Sequence, residues 1–162
     1  MNHRNELGAY YQEHNLKGLG VEVGVQYGYF SQEILKGWKG ELKCVDTWLE
    51  ESVYQDAVKN LGEERLIRKS SVEASKDFKD GSLDFVFIDA GHTYEEVKED
   101  IEAWYPKVRK GGIVSGHDYV EYQNFGVIKA VDEFVKAKKK KLELTDQDMW
   151  EGVNFKSWYF VK

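Results

Sequence analysis

The segment SLDFVFIDA, residues 82–90, most constrains the fold. Its apolar residues run on almost without interruption instead of alternating with polar ones. That is the pattern of a strand covered on both faces, and such strands sit in parallel sheets with helices above and below. A parallel neighbour needs a crossover connection, usually a helix. The rest of the chain should therefore alternate strands and helices.

It does. Residues 3–16 carry Leu7, Tyr10, Tyr11 and His14 at helical spacing, and 1–17 reads as a helical extension. GLGVEVGV (18–25) is a strand ending in glycine, and YFSQEILKGW (29–38) a helix. ELKCVDTW (41–48) is a strand ending at an acid, and 50–61 a helix closed by Gly62. Then come a strand (64–70), a short helix (72–78), the 82–90 strand, a helix (93–108), the strand GGIVSGHDY (111–119) and a helix (125–140). KLELTDQ and FKSWYFVK give two last strands with no helix between them. The expected architecture is α/β: a Rossmann-like, mostly parallel seven-stranded sheet with an antiparallel end, in one domain spanning 1–162.

The composition narrows the class. The chain is 41% hydrophobic and 14% aromatic, which suits a globular core. Its net charge of −6 argues against a nucleic-acid backbone as partner. The single cysteine, Cys44, excludes an internal disulfide and reads as a small core residue. No apolar run is long enough to span a bilayer, and MNHRNELGAYYQEHN lacks the apolar stretch of a signal peptide. A cytoplasmic protein without a membrane partner is expected.

In sheets of this kind ligands bind beyond the carboxyl ends of the strands. Those ends hold Gly24, Asp46, Ser70, Ser71, Asp89, His92, His117 and Asp118. Gly24 lets the backbone approach a ligand with no Cβ between them, and Gly28 tightens the turn into the helix. Asp46 follows at the end of the next strand, about 20 residues on, where an acid accepts hydrogen bonds from ribose hydroxyls; a helix N-cap is the alternative. The G-x-G-x-x-G of dinucleotide-binding proteins is missing. A nucleoside-containing ligand is the reading that the residues carry.

VEVGVQYGYFS, CVDTW, RKSSVEAS, DFVFIDAGHTYEEVKEDIEAWYPKVRKGGIVSGHDY and the closing SWYFVK together resemble a class I S-adenosylmethionine-dependent methyltransferase. The nearest likeness is to the small sugar and secondary-metabolite O-methyltransferases, related to the macrocin and catechol types. The resemblance implies that Glu22 braces the glycine turn or the methionine amino group. It implies that Gly24 and Gly28 pass the backbone under the methionine part, with Tyr27 and Ser31 also among the cofactor-binding residues. Asp46 would bind the ribose, with Thr47 or Trp48 beside the adenine. Ser71 and Val72 would flank the adenine edge, Asp89 would face the methyl group, and His92 would also touch the cofactor.

Metal-dependent relatives hold a divalent ion, Mg or Mn, with acids after the fourth and fifth strands. Here Asp89, His117 and Asp118 are the matching positions. Histidine at the second of these departs from the pattern and favours Mn, Fe or Zn over Mg. The position of a further acid in some relatives is Gly91, which leaves His92 and His117 as candidate general bases. The expected catalytic group is Asp89, His92, His117 and Asp118. The short N-terminal helix leaves the site open. An open site favours a bulky or polymer-linked acceptor, such as a glycan, or completion by a second copy of the chain; the resemblance itself implies transfer to a hydroxyl of a sugar or similar small polar acceptor. Two rival readings are a nicotinamide or nucleotide-sugar enzyme and a non-catalytic cofactor-binding module. The run KAKKKK (136–141) reads as cations at a helix C-terminus.

Overall fold

The computed structural model describes residues 1–162. Five parallel strands form the heart of the sheet: β1 (Leu19–Val23), β2 (Glu41–Asp46), β3 (Leu66–Arg68), β4 (Leu83–Ile88) and β5 (Val108–Tyr119). Two more, β6 (Glu143–Leu144) and β9 (Lys156–Val161), complete it in the order β3-β2-β1-β4-β5-β9-β6. β9 runs antiparallel to both of its neighbours. A separate hairpin, β7 (Met149–Trp150) with β8 (Val153–Asn154), lies outside the sheet. The expected third strand shrinks to three residues, Leu66–Arg68, because Glu63–Arg65 wind into a 3-10 turn after Gly62.

Six helices cover the faces: α1 (Leu7–Glu13), α2 (Tyr29–Gly37), α3 (Glu51–Leu61), α4 (Ser71–Ser75), α5 (Tyr94–Trp104) and α6 (Val127–Lys138). Side chains alternate across the strands, so two cores form. Val21, Val23, Val86, Ile88 and Val114 pack with Val97, Ile101 and Trp104 of α5 and with α6. Leu42, Cys44, Phe85 and Phe87 pack with Ile34 and Trp38 on the other face. Leu7, Tyr11 and Leu16 are fully buried in this second core, so the first 17 residues are integral to the fold. Burying each such large side chain is worth about 1.5–3 kcal/mol.

The register of the central strands sets the site. Val23 of β1 lies opposite Val45 of β2 and Ile88 of β4, and Ile88 lies opposite Gly116 of β5. The next residue on each strand is Gly24, Asp46, Asp89 and His117. These four therefore leave the sheet at one level, side by side.

Candidate functional site

A cleft of about 970 Å³ runs along these strand ends, from Asp118 at β5 to Ser71 after β3. Its floor is the turn after β1. The Gly24 amide continues the ladder by donating to Val45 O at 2.8 Å, with φ +85°. A Cβ at Gly24 would collide with the Asp89 backbone carbonyl, so glycine alone fits. Gly28, also left-handed, is packed against Leu61 and stands behind the wall.

Asp46 ties the turn to β2. One carboxylate oxygen accepts from the Val25 and Gln26 amides at 2.9 Å each, and the other from the Trp48 amide at 3.0 Å. Asp46 and Thr47 line the cleft. Trp48 does not: it is 2% exposed, donates its ring N–H to Gln26 O at 2.7 Å and packs on Tyr54. The expectation that Trp48 flanks the ligand is corrected, because an indole held by that bond braces the turn from below. Tyr27 lines the cleft and stacks on Tyr29, which is exposed at the rim.

Glu22 is the acid that looked out of place in a strand. It is 1% exposed and points onto the α2 face, where the Ser31 hydroxyl donates to it. Ser31 is fully buried and absent from the cleft lining, so its role is to hold Glu22. Burial pushes the Glu22 carboxyl up to about 8, against the downward pull of Ser31. Only its edge reaches the cleft.

At the other end the charged residues converge. β5 is irregular where Asp118 adopts φ +59°, and Trp158 anchors the bend by donating to His117 O at 3.0 Å. The bend turns Asp118 back between two imidazoles: His117 Nδ1 at 3.0 Å and His92 Nε2 at 2.7 Å. Asp89 lies 3.8 Å from His117 Nδ1 and 4.0 Å from His92 Nε2. α5 begins immediately after this loop. Thr93 and Glu96 form a reciprocal capping box there, which fixes His92 just ahead of the first turn.

Three residues that the sequence did not mark complete the network. Asp148 bonds His117 Nε2 at 2.9 Å. Arg4 bridges Asp148 at 3.0 Å and Asp89 at 3.4 Å while its guanidinium lies over the Phe30 ring. His3 reaches Asp148 at 3.3 Å. The backbones of Met1 and Asn2 also accept from Asp146 and Gln147, so the two segments close this end of the cleft together. At the far end Asp100 of α5 lines the wall beside Ser71 and Val72.

Both imidazoles hold their protons tightly. The hydrogen bond from His92 to Asp118, with the Asp89 carboxylate close by, raises its pKa to about 10. Burial pulls His117 down, but its bonds to Asp118 and Asp148 outweigh that and raise it to about 9. Burial disfavours the Asp118 charge, yet the two imidazoles hold it well below the usual carboxylate range. Neither histidine is a free base near neutral pH, which corrects the simple general-base expectation. The expected metal set also changes. Both His117 nitrogens face carboxylates, while Asp89, His92 and Asp118 offer ligand atoms within 4.8 Å of one another.

Residues 21–119 match a sequence family described as a methyltransferase domain. An uncharacterised protein of Sinorhizobium fredii, y4gI, is 34% identical over 66% of this chain. This chain spans 14% of that protein's length. A putative methyltransferase of Streptococcus mutans, solved with SAH, superposes at a TM-score of 0.74. The two are 13% identical, and the match covers 100% of this chain and 99% of that one. An O-methyltransferase of Bacillus cereus, also solved with SAH, gives 0.70 at 16% identity, over 98% and 80% of the two chains. At such identities the likeness is one of fold, and it agrees with the seven-stranded Rossmann-like methyltransferase arrangement.

Proposed function

The chain belongs to the methyltransferase-domain family, and on that premise we propose that it transfers a methyl group from S-adenosylmethionine to a hydroxyl oxygen of a sugar, glycan or similar small polar acceptor. The observation that carries this reading is the level row of Gly24, Asp46 and Asp89 at three adjacent strand ends. The cleft fits the cofactor: Gly24 leaves room for a chain-like group against the backbone, and Asp46 offers carboxylate oxygens to a diol.

When bound, the cofactor supplies a methyl group on a positively charged sulfur. The chain's residues then have distinct work. Glu22 and the Gly24 turn hold the amino-acid portion, and Asp46 the ribose. Asp89, within reach of Arg4, His92 and His117, accepts a hydrogen bond from the acceptor hydroxyl and orients its oxygen for in-line displacement. As the carbon–oxygen bond forms and the carbon–sulfur bond breaks, the hydroxyl proton passes to the Asp89 carboxylate and on to solvent. His92 and His117 remain protonated and fix Asp118 between them.

A divalent ion such as Mg or Mn fits the donor set Asp89, His92 and Asp118, and would lower the pKa of an acceptor hydroxyl. The same carboxylates already face Arg4 and two imidazoles, so an ion must displace the His92 proton. Titration with Mn monitored by paramagnetic relaxation tests this without turnover: binding should strengthen between pH 7 and 9.

The function is tested by calorimetry with S-adenosylmethionine, SAH and NAD, followed by methyl-release assays over a glycan and small-polyol panel. Binding of the first two and not NAD, with His117→Ala and Asp118→Ala silencing turnover, is expected. Full turnover in both variants would remove the catalytic assignment, and SAH binding without turnover on any acceptor would favour a non-catalytic binding module.

A further inference from the structure

Asp100 is unused by the chemistry above, yet after Glu22 it is the most deeply buried acid on the cleft wall. It is 5% exposed, sits on α5 and lines the cleft beside Ser71 and Val72. No lysine, arginine or histidine pairs with it; the charges that act on it are those of Glu96 and Glu99. It is held in place through a short relay. Trp104, one turn further along α5, donates its ring N–H to Ser71 Oγ at 2.9 Å, which leaves the Ser71 hydroxyl hydrogen free to turn toward the neighbouring Asp100 and favour its charge. A carboxylate has more lone pairs than that one bond uses, and a buried acceptor left short of donors is costly.

The order of subsites says what meets it. Resting on the reading of the cleft as a cofactor site, the methyl group lies at Asp89 and the ribose at Asp46. The base must then extend past β2 toward Ser71 and α5, where Asp100 waits. We propose that Asp100 is a specificity-determining residue that accepts a hydrogen bond from the exocyclic amino group of the cofactor's adenine. A purine with a 6-oxo group presents a second acceptor there, and two acceptors facing each other in a dry wall repel. Burial, opposed by Ser71 and aided by Glu96 and Glu99, pushes the Asp100 carboxyl up to about 6, so a donated hydrogen bond relieves a strained charge.

The test compares SAH with S-inosyl-homocysteine by calorimetry on the full chain at pH 7.5. Wild type should bind SAH at least tenfold more tightly than the inosyl analogue. Asp100→Asn, whose amide donates to a 6-oxo group, should narrow that ratio at least fivefold, mainly by improving binding of the analogue. Asp100→Ala should weaken SAH about tenfold and leave the analogue nearly unchanged. A purely structural Asp100 would shift both ligands together and keep their ratio, which overturns the proposal. Equal binding of both ligands by the wild type overturns it without any variant. Absence of SAH binding to the wild type would instead remove the cofactor reading, and this proposal with it.

Discussion

At the β2 end of the cleft, the groups nearest the sheet are backbone and one carboxylate, Asp46, each within a residue or two of a strand end, with Asp100 of α5 on the wall beyond them. At the β5 end they are charged side chains: Arg4 and His3 from before α1, Asp89 and His92 after β4, His117 and Asp118 in bent β5, and Asp148 beyond β6. The first end is set by sheet register, the second by tertiary assembly. On the proposed reading, the first kind of construction gives rigid placement of a common donor and the second adjustable handling of an acceptor.

The contrast can be broken most forcefully at Gly24. Gly24→Ala adds a Cβ to a left-handed residue and drives it into the Asp89 carbonyl. The expected cost is about 3 kcal/mol or more, read as a fall in Tm of roughly 6–12 °C, with loss of measurable SAH binding. At the other end, Asp118→Asn should lower kcat by about a hundredfold or more while SAH affinity stays within about threefold, because it removes the charge that organises His92 and His117 beside Asp89 and touches nothing at the β2 end. A matched fall in SAH affinity would erase the division between the ends.

Acidity sharpens the comparison. With Glu22 near 8 in the folded chain and 4.5 as its ordinary value, the folded state binds the extra proton between those limits. Stability is therefore greatest below about pH 4.5 on this account and falls as pH climbs toward 8, by on the order of a few kcal/mol. Glu22→Gln should flatten that slope in denaturant unfolding at pH 5 and pH 8.5. At the acceptor end the sign reverses. His92 and His117 are raised, so their pairing is fully present below about 6.5 and is lost as pH rises through about 9 and 10. Turnover should stay level from pH 7 to about 9 and then decline. A rate that climbs through that window would make an imidazole the base. The smallest effect is expected from Ser31→Ala, about 1 kcal/mol in stability and a few-fold in SAH affinity, since Glu22 loses its one hydroxyl donor.

What the sequence disclosed follows the same division. The all-apolar 82–90 run implied helices on both faces, and strand endings are local events, so Gly24, Asp46 and Asp89 could be placed before any coordinates. Glu22 was visible as an acid out of pattern. Arg4 and Asp148 were not visible, because nothing in MNHRNEL or LTDQDM repeats with a structural period; they meet only when both ends of the chain fold over the cleft. The β7–β8 hairpin was missed for a related reason. Its strands are two residues each, and its turn relies on the left-handed Glu151-Gly152 pair. Trp48 misled because adjacency to Asp46 in sequence says nothing of which side of the turn an indole takes.

Gly24 has a consequence for engineering. With no room for a Cβ between it and the Asp89 backbone, Gly24 has no side chain to vary and no slack to absorb change. Diversity introduced at residues 1–6 and 146–154 changes the β5 end of the cleft, where Arg4 reaches Asp89 and Asp148 holds His117, and leaves the Gly24 turn untouched. A library confined to those two segments can thus search new acceptors while every member inherits the same donor seat.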